Sequence, residues 1–393
     1  MVAKIFNPRT LDYTLDRAEF KPFNRRHPLK PRPALPKELT YAKAGVDRKL
    51  RAKSKIALEM LQQTYRHSPH GKVLQLPYGN VFPIGNNRYF DLAIEGVGTK
   101  VLLAQLANKH DSIGIDAVAM AVNDVIRSGA MPLAIADNIH TRKSDPTRVH
   151  EWMKGITIAA LEAECIVPGG EIGDVPEIIQ GLKPTTGFDM IVAAIGEVHK
   201  NSIIRGNNIQ PNDTVIGLRS SGLHSNGITL ARRVLFKQWG GRYNLYDIPA
   251  GLNRELVHET LEPTYIYVKP LKQVMKQHRL KGAVHITGDA YLKLNRLAEF
   301  SKDVGFQITN FKPQPIFQLI QKTAQAQGKI ITDKEMLKTF NMGWGFALIA
   351  DKSEQDDILD TLEKSRMEAE PIGEATSKRR IVAVYKGKRL VLE

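Results

Sequence analysis

The stretch from Tyr89 to His110 constrains the fold most, because a strand, a glycine loop and a helix follow one another directly. Its first residues form an apolar run that predicts a buried strand, and Val101–Ala107 has the leucine spacing of an amphipathic helix. The loop between them is Glu95-Gly96-Val97-Gly98-Thr99-Lys100. Its glycines let the backbone approach an anion, and a helix N-terminus offers unpaired N–H groups. Lys100 adds a positive charge, and Glu95 can hold a metal ion that bridges to phosphates. An ordinary tight turn explains the same residues equally well.

Two more glycine loops follow predicted strands. Pro168–Asp174 follows the strand Cys165–Val167 and contains carboxylates, and Arg219–Gly227 follows the strand Thr214–Leu218 and contains serines, a histidine and an asparagine. A plain turn needs only one or two such residues. Three loops of this kind can converge on one polyphosphate and its magnesium ion. The chain contains no P-loop, Rossmann, kinase or nucleophile-elbow signature.

The predicted helix from Ile115 to Ser128 carries polar residues that are unusual inside a helix. Asp116 and Asn123 lie opposite its apolar face, with Asp124 nearby. Aspartate and asparagine are poor helix-interior residues, because their side chains compete for backbone groups. A merely solvated face would more often carry glutamate, lysine and arginine. The pattern therefore favours metal or ligand binding over a solvated face.

The length of 393 residues favours two domains, which we place at residues 41–207 and 208–393 on either side of a polar, proline-containing stretch. Cys165 is the only cysteine, which excludes an intrachain disulfide and a cysteine-based metal site. No apolar run approaches the length of a membrane span, and no signal peptide is visible. We expect a cytoplasmic protein without a membrane partner.

The formal net charge of +15 is high. Residues 1–40 are rich in lysine, arginine and proline, which predicts an extended basic arm rather than a domain. Such a charge fits nucleic acid, a membrane surface or polyphosphate substrates. Elsewhere the basic residues are dispersed and do not alternate with aromatic residues, so we expect no nucleic-acid partner. After the arm, residues 49–66 predict a basic helix with Ile56, Met60 and Leu61 facing inward.

The order of motifs resembles the phosphoribosylformylglycinamidine cyclo-ligase family, also called the aminoimidazole ribonucleotide (AIR) synthetases. The resemblance covers about residues 41–393 and leaves out the arm. The motifs that carry it are Tyr41–Asp47, Glu95–Lys100, His110–Asp124, Pro168–Glu171, Ser220–Gly227, Pro263–Lys269, His285–Gly288 and Thr339–Asn341. Each motif is modest alone, and eight in the family's order indicate membership.

The resemblance implies an α/β (α+β) fold of two domains. The N-terminal domain would bind ATP and dimerise by joining sheets into a barrel, and the C-terminal domain would contain a mixed sheet with helices. The implied enzyme is an ATP-dependent ligase of purine biosynthesis. It would phosphorylate the formyl oxygen of formylglycinamidine ribonucleotide, after which an internal nitrogen closes the imidazole ring and expels phosphate. A homodimer and a small-molecule substrate are the implied partners.

The resemblance also implies roles for particular residues. The implied Mg²⁺ ligands are Glu95, Asp116, Asp124 and Glu171. The implied ATP-binding residues are Gly45, Asp47, Gly98, Thr99, Lys100 and Asn123. The implied substrate-binding residues are Ser221, Gly222, His224, Ser225, Asn226, Thr287 and Gly288. His224 and His285 are the candidate catalytic bases.

Two departures from the family pattern affect this reading. Glu95 replaces an aspartate, which shifts any bound metal by one methylene. Asp289 and Ala290 replace two glycines of a Thr-Gly-Gly-Gly loop. A carboxylate at position 289 would repel a substrate phosphate unless it points away, and alanine does not freely adopt a positive φ.

The alternatives to the cyclo-ligase are a thiamine-monophosphate kinase or selenophosphate synthetase type of enzyme, and a non-catalytic basic protein that binds nucleic acid.

Overall fold

Two mixed β-sheets organise the part of the chain that the computed structural model describes, which is residues 38–302 and 304–392. The predicted basic arm lies almost entirely outside these residues. The first sheet is built from residues 74–199 and the second from residues 214–391. The predicted domain boundary falls between the sheets and stays a prediction.

The strands are β1 (Leu74–Leu76), β2 (Gly79–Gly85), β3 (Arg88–Gly96), β4 (Met131–Thr141), β5 (Ile166–Asp174), β6 (Phe188–His199), β7 (Thr214–Arg219), β8 (Gly282–His285), β9 (Gly305–Ile308), β10 (Trp344–Ala350), β11 (Ala369–Thr376), β12 (Ile381–Tyr385) and β13 (Lys388–Val391). The α-helices are α1 (Arg48–Ser54), α2 (Lys100–Ala107), α3 (Asp111–Ile126), α4 (Pro146–Glu162), α5 (Ile228–Leu235), α6 (Leu256–Thr260), α7 (Val268–Gln277), α8 (Leu294–Ser301), α9 (Pro315–Ala326), α10 (Asp333–Thr339) and α11 (Gln355–Lys364). Short 3₁₀ helices include Lys55–His67 and Ala290–Lys293.

The first sheet has the strand order β1-β2-β3-β6-β4-β5, and only its β4–β5 pair is parallel. Buried and partly exposed residues alternate along β6, because successive side chains of a strand point to opposite faces. One face therefore packs against the core, where α3 contacts β3 and β6. This packing brings α3 beside the end of β3, where the first glycine loop begins.

The second sheet has the order β13-β12-β9-β11-β7-β10-β8. Its strand β10 is buried along its whole length, which explains the unbroken apolar run that encodes it. Strand β10 pairs with β7 on one side and with β8 on the other. The loops that follow β7 and β8 therefore emerge on either side of β10.

These two sheets confirm the predicted α/β fold class. The first sheet is open within one chain, with β1 and β5 at its ends, so the barrel across a dimer stays a prediction. Among the described residues, no helix is long and apolar enough to cross a membrane.

The prediction for residues 49–66 was wrong in two respects. The α-helix ends at Ser54 and continues as a 3₁₀ helix, and Ile56, Met60 and Leu61 face outward with 64%, 68% and 56% of their surface exposed. The amphipathic pattern is real, but these apolar side chains are exposed rather than packed against the core.

Candidate active site

A pair of neighbouring carboxylates, Glu95 and Asp124, lies where β3 meets α3. Burial raises the pKa of Glu95 to about 7, and the nearby negative charge of Asp124 adds to this effect. Two carboxylates that share one site do not both ionise easily. The shared proton therefore resides on Glu95, and the pair favours a cation placed between them.

Asp124 is the ionised member of the pair. Its Oδ2 lies 2.6 Å from Nη1 of Arg127, and its Oδ1 lies 2.8 Å from Nδ1 of His285. Burial by itself would raise the pKa of Asp124, but Arg127, Lys293 and His285 together outweigh burial and hold the pKa below its usual range. Position 124 is thus a fixed negative charge, whereas Glu95 changes its charge near neutral pH.

His285 ends β8 and is fully buried, stacked on the Phe346 ring at a centroid distance of 5.9 Å. Burial lowers its pKa, with partial opposition from the Asp124 carboxylate, so the ring is neutral at pH 7. A neutral ring beside an ionised carboxylate carries its proton on Nδ1 and donates it to Asp124. Its Nε2 is then a hydrogen-bond acceptor, and this buried atom has no partner within the described part of the protein.

Lys293 is a member of this cluster that the sequence analysis missed. Its Nζ donates to the His285 carbonyl oxygen at 3.1 Å and to Oγ1 of Thr287. Burial lowers the pKa of Lys293, and the nearby Asp124 opposes that change. Nothing in the local sequence signals the role, because the lysine lies past the end of the recognised His285–Gly288 motif.

Further cations surround the two carboxylates. Partial burial and the neighbouring Arg296 and Arg51 guanidinium groups lower the pKa of Lys55, whereas Asp289 and Glu95 act in the opposite direction. Cations therefore gather around this cluster from the N-terminal segment and from the second half of the chain. Such a field suits a substrate with several phosphate charges.

Lys100 and Asp116 form a buried ion pair rather than an open binding site. The Lys100 Nζ lies 2.6 Å from Oδ2 of Asp116, and both side chains have 0% of their surface exposed. Lys100 also donates to the Glu262 carbonyl oxygen at 2.7 Å, while Oδ1 of Asp116 accepts from the Thr264 N–H at 2.9 Å. Both residues fasten the segment that begins at Glu262.

Asn123 acts on the same segment. Its Nδ2 donates to the Tyr265 carbonyl oxygen at 2.7 Å, and its Oδ1 accepts from the Tyr267 N–H at 2.9 Å. The predicted polar side of α3 therefore exists, but two of its three residues contact protein backbone. Of these three residues, only Asp124 lies beside Glu95.

Glu171 lies apart from the other predicted magnesium ligands. The strand pairing places Glu95 opposite Val192, Val192 opposite Asp137, and Asp137 opposite Gly170. Glu171 directly follows Gly170. Three strand spacings of about 4.8 Å, or roughly 14 Å, separate Glu95 from Gly170 across the sheet. Among the described residues, no group of three or more His, Cys, Asp or Glu side chains is arranged to hold a metal ion.

The loop after β7 brings several predicted substrate residues together. The Ser221 N–H donates to Nε2 of His224 at 3.2 Å, and Ser225 lies 3.5 Å from Thr264, oxygen to oxygen. Burial lowers the pKa of His224 well below its usual value, and His285 and Lys100 add to this effect. His224 is neutral, with Nε2 already occupied as an acceptor.

The loops after β7 and β8 face each other. Oδ1 of Asn226 lies 3.4 Å from where a Cβ on Gly288 would stand, and the buried Nδ2 of Asn226 has no partner in the described structure. The Gly222 carbonyl oxygen accepts from Asn341 at 2.7 Å, which fixes the first loop. Thr287 joins the same neighbourhood through Lys293. These facing loops, with the unsatisfied amide of Asn226 between them, form the wall that is proposed below for the substrate.

Four of the predicted ATP-binding residues lie in the loops that precede α1 and α2. Gly98 has a φ of 69° and open space where a side chain would be, and Thr99 joins its loop to α5 by a 2.8 Å contact with Thr229. Gly45 has a φ of 110°, and Asp47 accepts from the Leu50 N–H at 3.0 Å at the start of α1. Positive φ favours glycine, so both glycines are required by the backbone.

The two unusual residues of the loop after β8 have structural partners. Asp289 lies 3.2 Å from Nε of Arg48 and 3.0 Å from Nη2 of Arg51, so its charge is balanced. Ala290 adopts a φ of 45° despite its Cβ and is fully buried. A residue in this strained region persists only where its surroundings hold it.

Two comparisons of sequence connect this geometry with known proteins. Residues 79–198 match the family described as AIR synthase related protein, N-terminal domain, and residues 210–386 match AIR synthase related protein, C-terminal domain. A phosphoribosylformylglycinamidine cyclo-ligase of Pyrococcus furiosus is 35% identical over 329 residues, which is 83% of this chain and 92% of that protein. One from Bacillus mycoides is 38% identical over 280 residues, 71% of this chain and 78% of that protein.

Solved structures share the fold at low sequence identity. The HypE–HypF complex contains a chain with a TM-score of 0.57 and 14% identity, covering 88% of this chain and 99% of that one. Thiamine monophosphate kinase from Aquifex aeolicus has a TM-score of 0.56 and 16% identity, covering 86% of this chain and 98% of that one. AaThiL complexed with AMPPCP and TMP has a TM-score of 0.55 and 16% identity, covering 87% and 93%.

Proposed function

This chain belongs to the AIR synthase related family, and we propose that the Glu95–Asp124–His285 cluster is the centre of its active site. Its activity is that of an ATP-dependent cyclo-ligase of purine biosynthesis, which converts formylglycinamidine ribonucleotide to AIR with release of ADP and phosphate. The similarity to the cyclo-ligase of Pyrococcus furiosus, which spans 92% of that protein, carries this conclusion. The cations around the carboxylate pair suit an enzyme whose substrates carry phosphate groups.

The reaction requires the protein to position the reactants and to neutralise charge. The formyl oxygen is a poor leaving group until the γ-phosphoryl group of ATP is transferred to it, and the ring nitrogen then attacks the same carbon and expels phosphate. Phosphoryl transfer depends mainly on alignment and on neutralising charge. Lys293, held beside Thr287, supplies one buried positive charge for this purpose.

Magnesium fits the carboxylate pair. Mg²⁺ is usually bound by one or two protein carboxylates together with phosphates and water. Glu95 and Asp124 supply two, and a divalent ion beside them would offset the burial and the Asp124 charge that together raise the pKa of Glu95. A bound Mg²⁺ would neutralise phosphate charge at this position. Within one chain, Glu171 lies too far along the sheet to join the pair, and Asp116 is committed to Lys100.

Of the two candidate bases, His285 suits the role better. Its Nδ1–H is oriented by Asp124, and its Nε2 is a buried acceptor that can take the proton released when the ring closes. His224 instead uses Nε2 to accept the Ser221 N–H. A base must lie within hydrogen-bond reach of the proton that it removes, and the facing loops bring the substrate wall to His285.

ATP and substrate take different walls of the cleft in this proposal. ATP phosphates lie along Gly45, Gly98 and Thr99, which offer open backbone, and the substrate's ribose phosphate lies between Asn226 and Gly288. The unsatisfied amide of Asn226 supports the second placement. Lys100 contributes indirectly by holding the segment beneath the first glycine loop.

Turnover with defined substrates tests the function. Purified protein with ATP and Mg²⁺ should release ADP and phosphate only when formylglycinamidine ribonucleotide is added, and AIR should appear in equal amount. Thiamine monophosphate serves as the control substrate, since structural neighbours include a kinase for it. Phosphorylation of thiamine monophosphate in place of AIR formation would reject the cyclo-ligase.

We also propose a homodimer formed through the outer face of the first sheet. Leu92 and Ile94 on β3 expose 56% and 66% of their surface, and the neighbouring Ala193 and Ile195 lie on the same face. Every residue of β5 except one is exposed. Contiguous exposed apolar surface of this kind marks an interaction site. Cytoplasmic location remains a prediction from the sequence.

The double substitution Leu92→Arg/Ile94→Arg should convert the dimer to a monomer, because it would place four charges in an apolar interface around a two-fold axis. Light scattering coupled to size-exclusion chromatography measures the mass. Ile248→Arg changes an isoleucine that is 59% exposed in the second half of the chain and should leave the mass unchanged. An unchanged mass for the double variant would show that this face is not the interface.

A further inference from the structure

Asp289 connects two segments that lie far apart in the sequence. Its carboxylate accepts from Nε of Arg48 at 3.2 Å and from Nη2 of Arg51 at 3.0 and 3.1 Å. The two arginines lie on α1, directly after Gly45 and Asp47. Asp289 itself directly follows Gly288. The contact therefore joins the segment proposed for ATP to the loop proposed for the substrate.

Arg48 is built into this contact from several sides. Its Nη2 donates to the Lys338 carbonyl oxygen at 2.7 Å and to Oγ1 of Thr339 at 3.0 Å, and its guanidinium group lies 5.0 Å from the centroid of the Tyr41 ring. Only 20% of the Arg48 side chain and 34% of the Asp289 side chain are exposed. An ion pair that is partly buried and shares further hydrogen bonds is worth more than an open surface pair.

The same N-terminal segment also touches the loop after β7. The Tyr41 hydroxyl lies near the backbone of Gly227, and Nη1 of Arg233 donates to the Lys43 carbonyl oxygen at 3.3 Å. Gly227 ends the loop that contains Asn226. The segment from Tyr41 to Arg51 thus rests on both loops of the substrate wall.

We propose that Asp289 is a positioning residue that couples ATP binding to substrate binding. It rests on the proposed function, which assigns the Gly45 segment to ATP and the Asn226–Gly288 wall to the substrate. Each ligand favours the arrangement in which Asp289 holds Arg48 and Arg51, so the first ligand to bind prepares the opposite wall for the second. Coupling of this kind is reciprocal, so each ligand increases the affinity of the other by the same factor.

The charge of Asp289 acts on the neighbouring cations rather than on the substrate phosphate. Without the carboxylate, Arg48 and Arg51 would repel each other and the nearby Lys55, which responds to both Arg51 and Asp289. With it, this repulsion is reduced and the carboxylate points toward α1. A glycine at this position would leave the phosphate loop more open but would lose the connection to the ATP segment.

Asp289→Asn tests the coupling, because it keeps the shape of the side chain and removes its charge. Isothermal titration calorimetry would measure the dissociation constant of AMPPCP with Mg²⁺, in the absence and presence of saturating formylglycinamidine ribonucleotide. The wild-type protein should bind AMPPCP about 5-fold or more tightly when the substrate is present. Asp289→Asn should reduce this factor to less than about 2-fold, with the melting temperature nearly unchanged.

Three further variants define the result. Asp289→Glu should restore much of the coupling, and Arg51→Gln should reduce it by less than Asp289→Asn does, because the Arg48 pair remains. The double variant Arg51→Gln/Asp289→Asn should lose no more than Asp289→Asn alone, because that single change already removes the interaction with Arg51. Glu370→Gln breaks a different ion pair, with Lys312 in the second half of the chain, and should leave the coupling at the wild-type value.

The outcomes separate the two proposals. Wild-type coupling that survives in Asp289→Asn, or a wild-type protein that binds both ligands independently, would overturn the role of Asp289 and leave the proposed function standing. A wild-type protein that binds neither AMPPCP nor the substrate would overturn the proposed function and the coupling with it.

Discussion

Glu95→Gln is expected to lower the kcat for AIR formation by a factor on the order of 10² or more. Glutamine keeps the size of the side chain but cannot carry the negative charge that would hold Mg²⁺ beside Asp124. The loss should appear mainly in kcat, since the charge acts on the phosphates as they react. Steady-state release of ADP and of AIR, measured at saturating ATP and Mg²⁺, gives the comparison.

The melting temperature provides the control for this variant. Glu95→Gln should lower turnover but should leave the melting temperature unchanged or raise it. The pKa of Glu95 is raised to about 7 in the folded protein from 4.5, so ionising Glu95 destabilises the fold as pH rises from about 4.5 to about 7. Glutamine removes that cost. Without metal, Glu95→Gln should therefore melt at the same or a higher temperature than the wild type at pH 8, and the advantage should shrink toward pH 5. Near-normal turnover would remove Glu95 from the metal site.

Asp116→Asn is expected to lower the free energy of unfolding by about 3–5 kcal/mol, because it leaves the Lys100 ammonium group buried without its counter-charge. Both side chains are completely buried, and the Nζ of Lys100 lies 2.6 Å from Oδ2 of Asp116. Asparagine keeps an oxygen for the Thr264 N–H, so the lost charge is the main change. Urea denaturation followed by circular dichroism measures the effect.

The double variant Lys100→Met/Asp116→Asn serves as the matched control. It removes both charges and keeps the acceptor for Thr264, so it should recover most of the lost stability. If Asp116→Asn instead unfolds like the wild type and loses turnover, Asp116 is a ligand rather than a structural partner. A double variant as unstable as the single one would show that the charge pair is not the reason.

The family, the fold class and the activity were predictable from the sequence, and the matching domain families together with the similar cyclo-ligases confirm them. They were predictable because eight motifs occur in order, and because each strand–loop–helix unit is encoded locally by apolar periodicity and glycines. Residues such as Gly98 and Gly45 illustrate this, since their positive φ values are a local property that the sequence signals directly.

The contents of the site were only partly predictable. Lys100, Asp116 and Asn123 carry the residue types of a ligand site, yet they contact each other or the segment from Glu262 to Tyr267. Lysine and aspartate in a glycine-rich loop and a helix look the same in sequence whether they face a ligand or one another. Only the packing of α2 and α3 decides between these cases.

The sequence alone determined the strand, loop and helix units that carry the candidate residues, because strand, turn and helix signals act over a few residues. The tertiary structure alone decided which side chains meet there. Glu95, Asp124, His285 and Lys293 come from four separate elements, and the repulsion that raises the pKa of Glu95 exists only when Asp124 lies beside it in a buried place. Likewise, the sequence predicts that Asp289 repels a substrate phosphate. The fold pairs its carboxylate with Arg48 and Arg51, which lie more than 230 residues earlier. Charge interactions depend on distance and burial, and neither quantity is written in the local sequence.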